Sequence, residues 1–144
     1  MIRIAPLKTV SEAQLKDFIH LVSELRRNTD EHVGSLSDLE DIVNNKHAVM
    51  VVAQDDEAII GMATLYIIVK VGKYVGYVED VVVDSRYRGQ GLGKKIMEAI
   101  VAEARNRKLT YLFLTSNAAR DAANNLYQKL GFEIVETNPY KLRL

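Results

Sequence analysis

The run Val81-Val82-Val83-Asp84-Ser85-Arg86-Tyr87-Arg88-Gly89-Gln90-Gly91-Leu92-Gly93-Lys94-Lys95-Ile96 constrains this chain more than any other stretch. A β-branched strand enters a basic, glycine-rich turn, and a helix with Leu92, Ile96, Ala99, Ile100 and Ala104 on one face follows at once. Strand, tight turn and helix in that order predict one right-handed crossover to a parallel strand. The turn has a chemical consequence as well. Glycine lets the backbone take positive φ and leaves no side chain in a ligand's way. Amides at a helix start lack partners and carry partial positive charge, so the concavity suits a phosphate or pyrophosphate. Arg86 and Arg88 before the turn, with Lys94 and Lys95 after it, are expected to add mobile positive charge.

Three phosphate-binding patterns compete for this turn. A dinucleotide fingerprint begun at Gly89 or at Gly91 needs a last glycine where Lys94 or Ile96 stands. A nucleotide-triphosphate loop ending in Gly93-Lys94 needs glycine at Arg88 and a hydroxyl residue at Lys95. The third pattern, Gln/Arg-x-x-Gly-x-Gly/Ala, is met by Arg88-Gly89-Gln90-Gly91-Leu92-Gly93. Further on, Ala123-Asn124-Asn125-Leu126-Tyr127 precedes Gly131-Phe132, an alanine four residues before a tyrosine and then Gly-Phe.

With both motifs in this order, the sequence resembles the GNAT superfamily of N-acetyltransferases, strongly over about residues 77–132 and elsewhere in element order only. The resemblance implies an α/β fold with a mixed sheet. An antiparallel N-terminal meander leads to a splayed parallel strand pair, with about four helices in a single domain over residues 1–144. It implies acetyl-CoA as donor, held by Arg88, Gly89, Gln90, Gly91, Leu92, Gly93 and Lys94. The strand at 79–83 would pair through its backbone with the pantetheine arm, an amide of Val81 or Val82 would meet the acetyl oxygen, and Val83 would continue the contact. Tyr127 would be the general acid to the coenzyme sulfur, with an ordinary pKa near 10 that suits donation to a thiolate. Glu79 is the preferred base and Asp80 its rival, since neighbours on a strand face opposite sides. Asn117 and Asn124 are expected contacts to pantetheine and phosphates, although asparagine also favours such places for local caps and turns.

Acceptors in the superfamily lie by the first two helices and the last hairpin, here Arg26-Arg27-Asn28-Thr29-Asp30-Glu31-His32 and Glu136-Thr137-Asn138-Pro139-Tyr140. Asp30, Glu31, Asp38, Glu40 and Asp41 make that end acidic, which suits a polyamine, a lysine or a peptide N-terminus. Residues 79–89, by contrast, are similar to the corresponding stretch of glucosamine-phosphate N-acetyltransferases. Ser116 to Arg120 and the tail Glu136-Thr137-Asn138 look more like small bacterial members of unassigned substrate. A non-catalytic acyl-CoA-binding module is a further alternative, against which Tyr127 speaks.

Composition prunes the rest. There is no cysteine, so disulfides, thiolate metal sites and an acyl-cysteine intermediate are excluded, in keeping with direct attack in a ternary complex. Lysine plus arginine equal aspartate plus glutamate at 19 each, so no global field draws the chain to nucleic acid or an anionic membrane. His20, His32 and His47 lack metal-ligand spacing, and no metal is expected. The start MIRIAPLK lacks a signal-peptide layout and no apolar run is long enough to span a bilayer, so a cytoplasmic location is expected. A strand edge in the second half offers a route to a homodimer.

The remaining elements follow from periodicity. Strands are expected at 2–7, 47–54, 58–71 with a bulge at Gly61, 74–84, 111–115, 132–136 and 140–144. Helices are expected from 11 to about 28, behind a Ser11/Gln14 capping box, and shortly after Ser37/Glu40 as a second box. Two more are expected at 91 to about 107 and 121–130.

Overall fold

The computed structural model describes residues 1–25 and 33–144. It comprises two compact units, Met1–Leu114 and Thr115–Leu144. The first runs β1 (Ile2–Pro6), α1 (Glu12–Leu25), α2 (Leu36–Asn44), β2 (Ala48–Asp55), β3 (Ala58–Lys70), β4 (Lys73–Val83), a 3-10 turn (Ser85–Tyr87), α3 (Leu92–Asn106) and β5 (Leu112–Phe113). The second contains α4 (Asp121–Lys129).

The strands form one sheet in the order β1-β2-β3-β4-β5. The first three pairings are antiparallel, and β4 and β5 are parallel across the α3 crossover. That parallel pair is brief: Gly76 faces Leu112 and Tyr77 faces Phe113, where β5 ends. β4 continues to Val83 past the end of β5, in keeping with the short parallel pair of the fold that the resemblance implies.

Near-continuous apolar runs along β2 and β3 let the sheet bury both faces. On one face Met50, Val52, Ile59, Met62 and Val82 form a core with Phe18 and Leu21 of α1 and Leu39 of α2. On the other lies α3, whose Leu92, Ile96, Met97, Ile100 and Ala104 are buried. Gly61 permits the close approach of that helix, because a Cβ there would sit 2.9 Å from Ile96 Cδ1 and 3.2 Å from the Val82 carbonyl. The bulge expected at this place is present, as the β2–β3 register shifts between Ala53 and Gln54 opposite Gly61 and Ile59. Asp17 of α1 accepts the Ile59 amide at 3.0 Å and ties helix to bulge.

Several local expectations need correction. The second capping box is Ser35 with Asp38, not Ser37 with Glu40. Starting two residues earlier lets the Asp38 carboxylate accept the Ser35 amide at 2.8 Å and puts Leu39 in the core. The Ser11/Gln14 box is present, with the Ser11 amide donating to Gln14 Oε1 at 3.1 Å. The end expected for the first helix, beyond residue 25, lies outside the described residues. Residues 132–136 and 140–144 are not strands, and the strand expected at 111–115 is reduced to Leu112–Phe113. Apolar alternation marks a segment fit for extended backbone but does not supply the neighbouring edge that makes it a strand. Ile134, Tyr140 and Leu142 accordingly stand 84%, 91% and 82% exposed. No helix among the described residues is long and apolar enough to cross a membrane.

Candidate active site

The site in the first unit begins in β4. Between Met62/Val82 and Thr64/Glu79 the β3–β4 register shifts, so β4 spends one residue more than its partner. Asp80 absorbs the shift with φ 53°, in the left-handed region that aspartate tolerates better than most residues. Strict alternation does not run through this bulge, and Glu79 and Asp80 are both exposed. Tyr66 of β3, which sequence reasoning passed over, belongs to the same group. Burial raises its phenol pKa, and Asp80 and Glu79 add to the shift. Glu79 is itself raised, first by desolvation and then by Asp80. A carboxylate shifted upward is a stronger base than an ordinary one.

Beyond β4 the chain enters the glycine-rich turn. Asp84, 2% exposed, accepts the Arg86 amide at 2.9 Å and caps the 3-10 turn. Its other oxygen receives Arg86 Nη2 at 2.7 Å, and the Arg86 bonds hold its pKa down to about 2. Arg88 folds back, donating from Nε to the Val83 carbonyl at 3.0 Å and from Nη2 to Glu24 of α1 at 3.1 Å. Both arginines therefore have carboxylate partners, and the mobile charge expected of them falls instead to Lys94 and Lys95. Among the described residues Lys94 pairs only with Glu98 one turn on, at 3.8 Å, with both side chains largely in solvent.

Gly89 and Gly91 adopt φ of 78° and 75°, as the turn required. A Cβ at either would meet nothing within 4 Å, so backbone conformation and open space for a ligand, not crowding, call for glycine there. Gly91 is also the N-cap of α3, and among the described residues no side chain caps the helix. A helix start of this kind suits an anion at its first-turn amides, and buried Leu92 pins the turn beneath them. The residues present thus fit a pyrophosphate. His20 Nε2 lies 3.5 Å from Glu24 Oε1 and from Asp84 Oδ2, a cluster whose carboxylates already face Arg88 and Arg86.

In the second unit Tyr127 is buried at 6% exposure and packs edge-on against Phe132, with ring centroids 6.0 Å apart. Burial raises its pKa, against a smaller opposing effect of Arg120, so the phenol keeps its proton at neutral pH. Asn117 Oδ1 accepts the Ala119 amide at 2.9 Å, and Asn124 Nδ2 donates to the Asn117 carbonyl at 3.0 Å. Both asparagines are thus engaged in shaping the entry to α4, the local use that asparagine favours.

The chain matches the model of the acetyltransferase (GNAT) family over residues 11–132. It is 30% identical over 135 residues to a glucosamine 6-phosphate N-acetyltransferase of Trypanosoma brucei brucei, covering 90% of each chain. Its fold superposes on a crystal structure of a Trypanosoma brucei acetyltransferase with a TM-score of 0.79 at 29% identity, over 100% of both chains. The fold of glucosamine-6-phosphate N-acetyltransferase from Arabidopsis thaliana is also shared, with a TM-score of 0.78 at 23% identity over 99% of this chain and 97% of that one. A β4 strand that runs on past its parallel partner, an uncapped glycine turn and a match over most of its length have one meaning: the chain belongs to the GNAT family and is an acetyl-CoA-dependent N-acetyltransferase.

Proposed function

We propose that the enzyme acetylates the primary amine of an amino-sugar phosphate. The carrying observation is the 30% identity with a glucosamine 6-phosphate N-acetyltransferase across 90% of both chains. A polyamine, lysine or peptide N-terminus is the other reading, carried by acidic residues near the first two helices. Asp38, one of the acidic residues behind it, is engaged as the capping box of α2, and Asp30 and Glu31 lie outside the described residues.

In this reading acetyl-CoA supplies an activated acyl group that a neutral amine attacks directly. The backbone of 79–83 aligns the pantetheine arm, and the Val81 or Val82 amide meets the acetyl oxygen. The brevity of the β4–β5 pairing, which ends at Tyr77 while β4 runs on to Val83, supports this role. Arg88, Gly89, Gln90, Gly91, Leu92, Gly93 and Lys94 surround the pyrophosphate, with Val83 leading into the turn. Glu79 takes the amine proton through water, supported by its raised pKa. Tyr127 returns a proton to the departing thiolate, supported by a phenol that burial keeps protonated. Asn117 and Asn124 contribute where α4 begins. We also propose a homodimer, because the apolar residues of 134–142 stand in solvent in the single chain.

A thiol-release assay with acetyl-CoA tests the acceptor. Glucosamine 6-phosphate, glucosamine, spermidine, lysine and an N-terminal peptide are compared at equal concentration. The amino-sugar phosphate is expected to give the highest kcat/KM. A preference for spermidine or the peptide would reject it, and no turnover with any amine would favour the acyl-CoA-binding module.

A further inference from the structure

The mechanism above leaves Glu24 without a role, although it makes the longest-range polar contacts in the donor turn. It sits on the last described turn of α1, its side chain 15% exposed. Its two carboxylate oxygens accept the Ser85 amide at 3.3 and 3.2 Å. One of them also receives Arg88 Nη2 at 3.1 Å, while Arg88 Nε is spent on the Val83 carbonyl at 3.0 Å. One carboxylate thus grips both ends of the segment between β4 and Gly89, across sixty-one and sixty-four positions of sequence. Asp84 holds Arg86 separately through two guanidinium bonds, at 3.1 and 2.7 Å, so the two arginines do not compete for Glu24.

We propose that Glu24 is a positioning residue for coenzyme binding. From α1 it fixes Ser85 and Arg88, so that Gly89 to Gly93 is held open in its binding shape. Arg88 acts in this as a strut: its guanidinium stays on Glu24 and the Val83 carbonyl instead of meeting phosphate, and only its backbone belongs to the coenzyme cradle. The physical reason is that glycines at 89 and 91 make the turn permissive but not rigid, since glycine loses the most freedom on ordering. An external clamp lowers that ordering cost before the ligand arrives. The inference rests on the reading that the 88–93 turn holds the coenzyme.

The test is calorimetric titration of coenzyme A alone into wild type, Glu24→Ala, Arg88→Ala, the double variant, Glu24→Gln and Gly91→Val, all well below their melting temperatures. A shared strut predicts that Glu24→Ala and Arg88→Ala each weaken binding about tenfold and that the double variant is hardly worse than either, because contacting residues are not additive. Glu24→Gln, which keeps an acceptor for Ser85 and Arg88, is expected to recover most of the affinity, a rescue that a loss of general stability would not give. If Arg88 met phosphate directly, Glu24→Ala would leave affinity unchanged or raise it by releasing the guanidinium, and that result overturns the proposal. Additive losses overturn it too. Gly91→Val separates the two readings: unchanged binding there removes the donor turn itself, whereas lost binding there with an unaffected Glu24→Ala removes only the clamp.

Discussion

The donor turn at 84–91 and the tail at 131–144 both lack regular pairing, and each follows a regular element, β4 ending at Val83 and α4 at Lys129. The turn is nevertheless specified almost atom by atom. Asp84 caps it, Arg86 closes on Asp84, and Arg88 reaches Val83 and Glu24. Its two positive-φ glycines then need little further restraint. The tail has an equally clear local opening, with Gly131 at φ 95° ending α4 and its amide donating to the Gln128 carbonyl at 3.0 Å. After that it has a backbone bond from the Thr137 amide to the Val135 carbonyl at 3.0 Å, and large apolar side chains in solvent. Local signals start and stop both segments. What differs is the supply of long-range polar partners, and that supply turns an irregular stretch into a shaped site.

The largest expected effect breaks the turn itself. Gly91→Val places a β-branched residue at φ 75°, straining the backbone by about 1–2 kcal/mol and filling the ligand's space. A fall of about 100-fold or more in kcat/KM for acetyl-CoA is expected, since small misplacements of a reacting group are that costly. A variant with wild-type kinetics would show that the turn's shape is irrelevant to the donor.

Tyr127→Phe probes the second unit by a different route. Losing a general acid is expected to lower kcat by roughly 100-fold with coenzyme A affinity intact. Full turnover would move the acid elsewhere. Glu79→Gln is expected to cost somewhat less, on the order of tenfold to 100-fold, because water relays soften the loss of a base. Its sign with pH is definite. The base works deprotonated and its pKa is raised, so wild-type activity should fall on the acid side beginning above the usual carboxylate range. A pH–rate profile in which Glu79→Gln keeps that limb unchanged would assign it to another group, Asp80 being the first to examine.

Smaller effects sharpen the contrast in stability. Asp84 has a folded pKa of about 2 against an ordinary 3.8. Its contribution is therefore complete above the ordinary value and is lost as pH falls through the interval down to about 2. Asp84→Ala removes this contribution together with the cap, the cap alone being worth about 1 kcal/mol, and should lower Tm at neutral pH by more than about 2–4 °C. Equal Tm for variant and wild type at pH 7 would show that the cap is not holding the turn. In the tail, Ile134→Ser is expected to change the stability of the isolated chain by less than about 0.5 kcal/mol, as at other exposed positions. The same variant should shift the particle from dimer to monomer in light scattering after size exclusion; a wild-type monomer would dispose of the homodimer.

The primary sequence determined the donor chemistry. Glycine at 89 and 91, a β-branched strand before them and an amphipathic helix after them dictate positive-φ turns and exposed amides by local sterics alone. The antiparallel meander and the parallel crossover were equally legible, since apolar period and connection length govern both. Tertiary structure decided what depends on residues far apart. Only the folded chain revealed that Arg88 belongs to Glu24, that Tyr66 stands with Glu79 and Asp80, and that a bulge puts both carboxylates in solvent. It also placed the cap of α2 on Ser35, and left the apolar alternation of 132–144 without a strand to join. A hydrogen-bond partner sixty-four residues away leaves no periodic trace, and a strand is a property of two edges. Sequence states what a segment is able to do; the fold supplies the second participant.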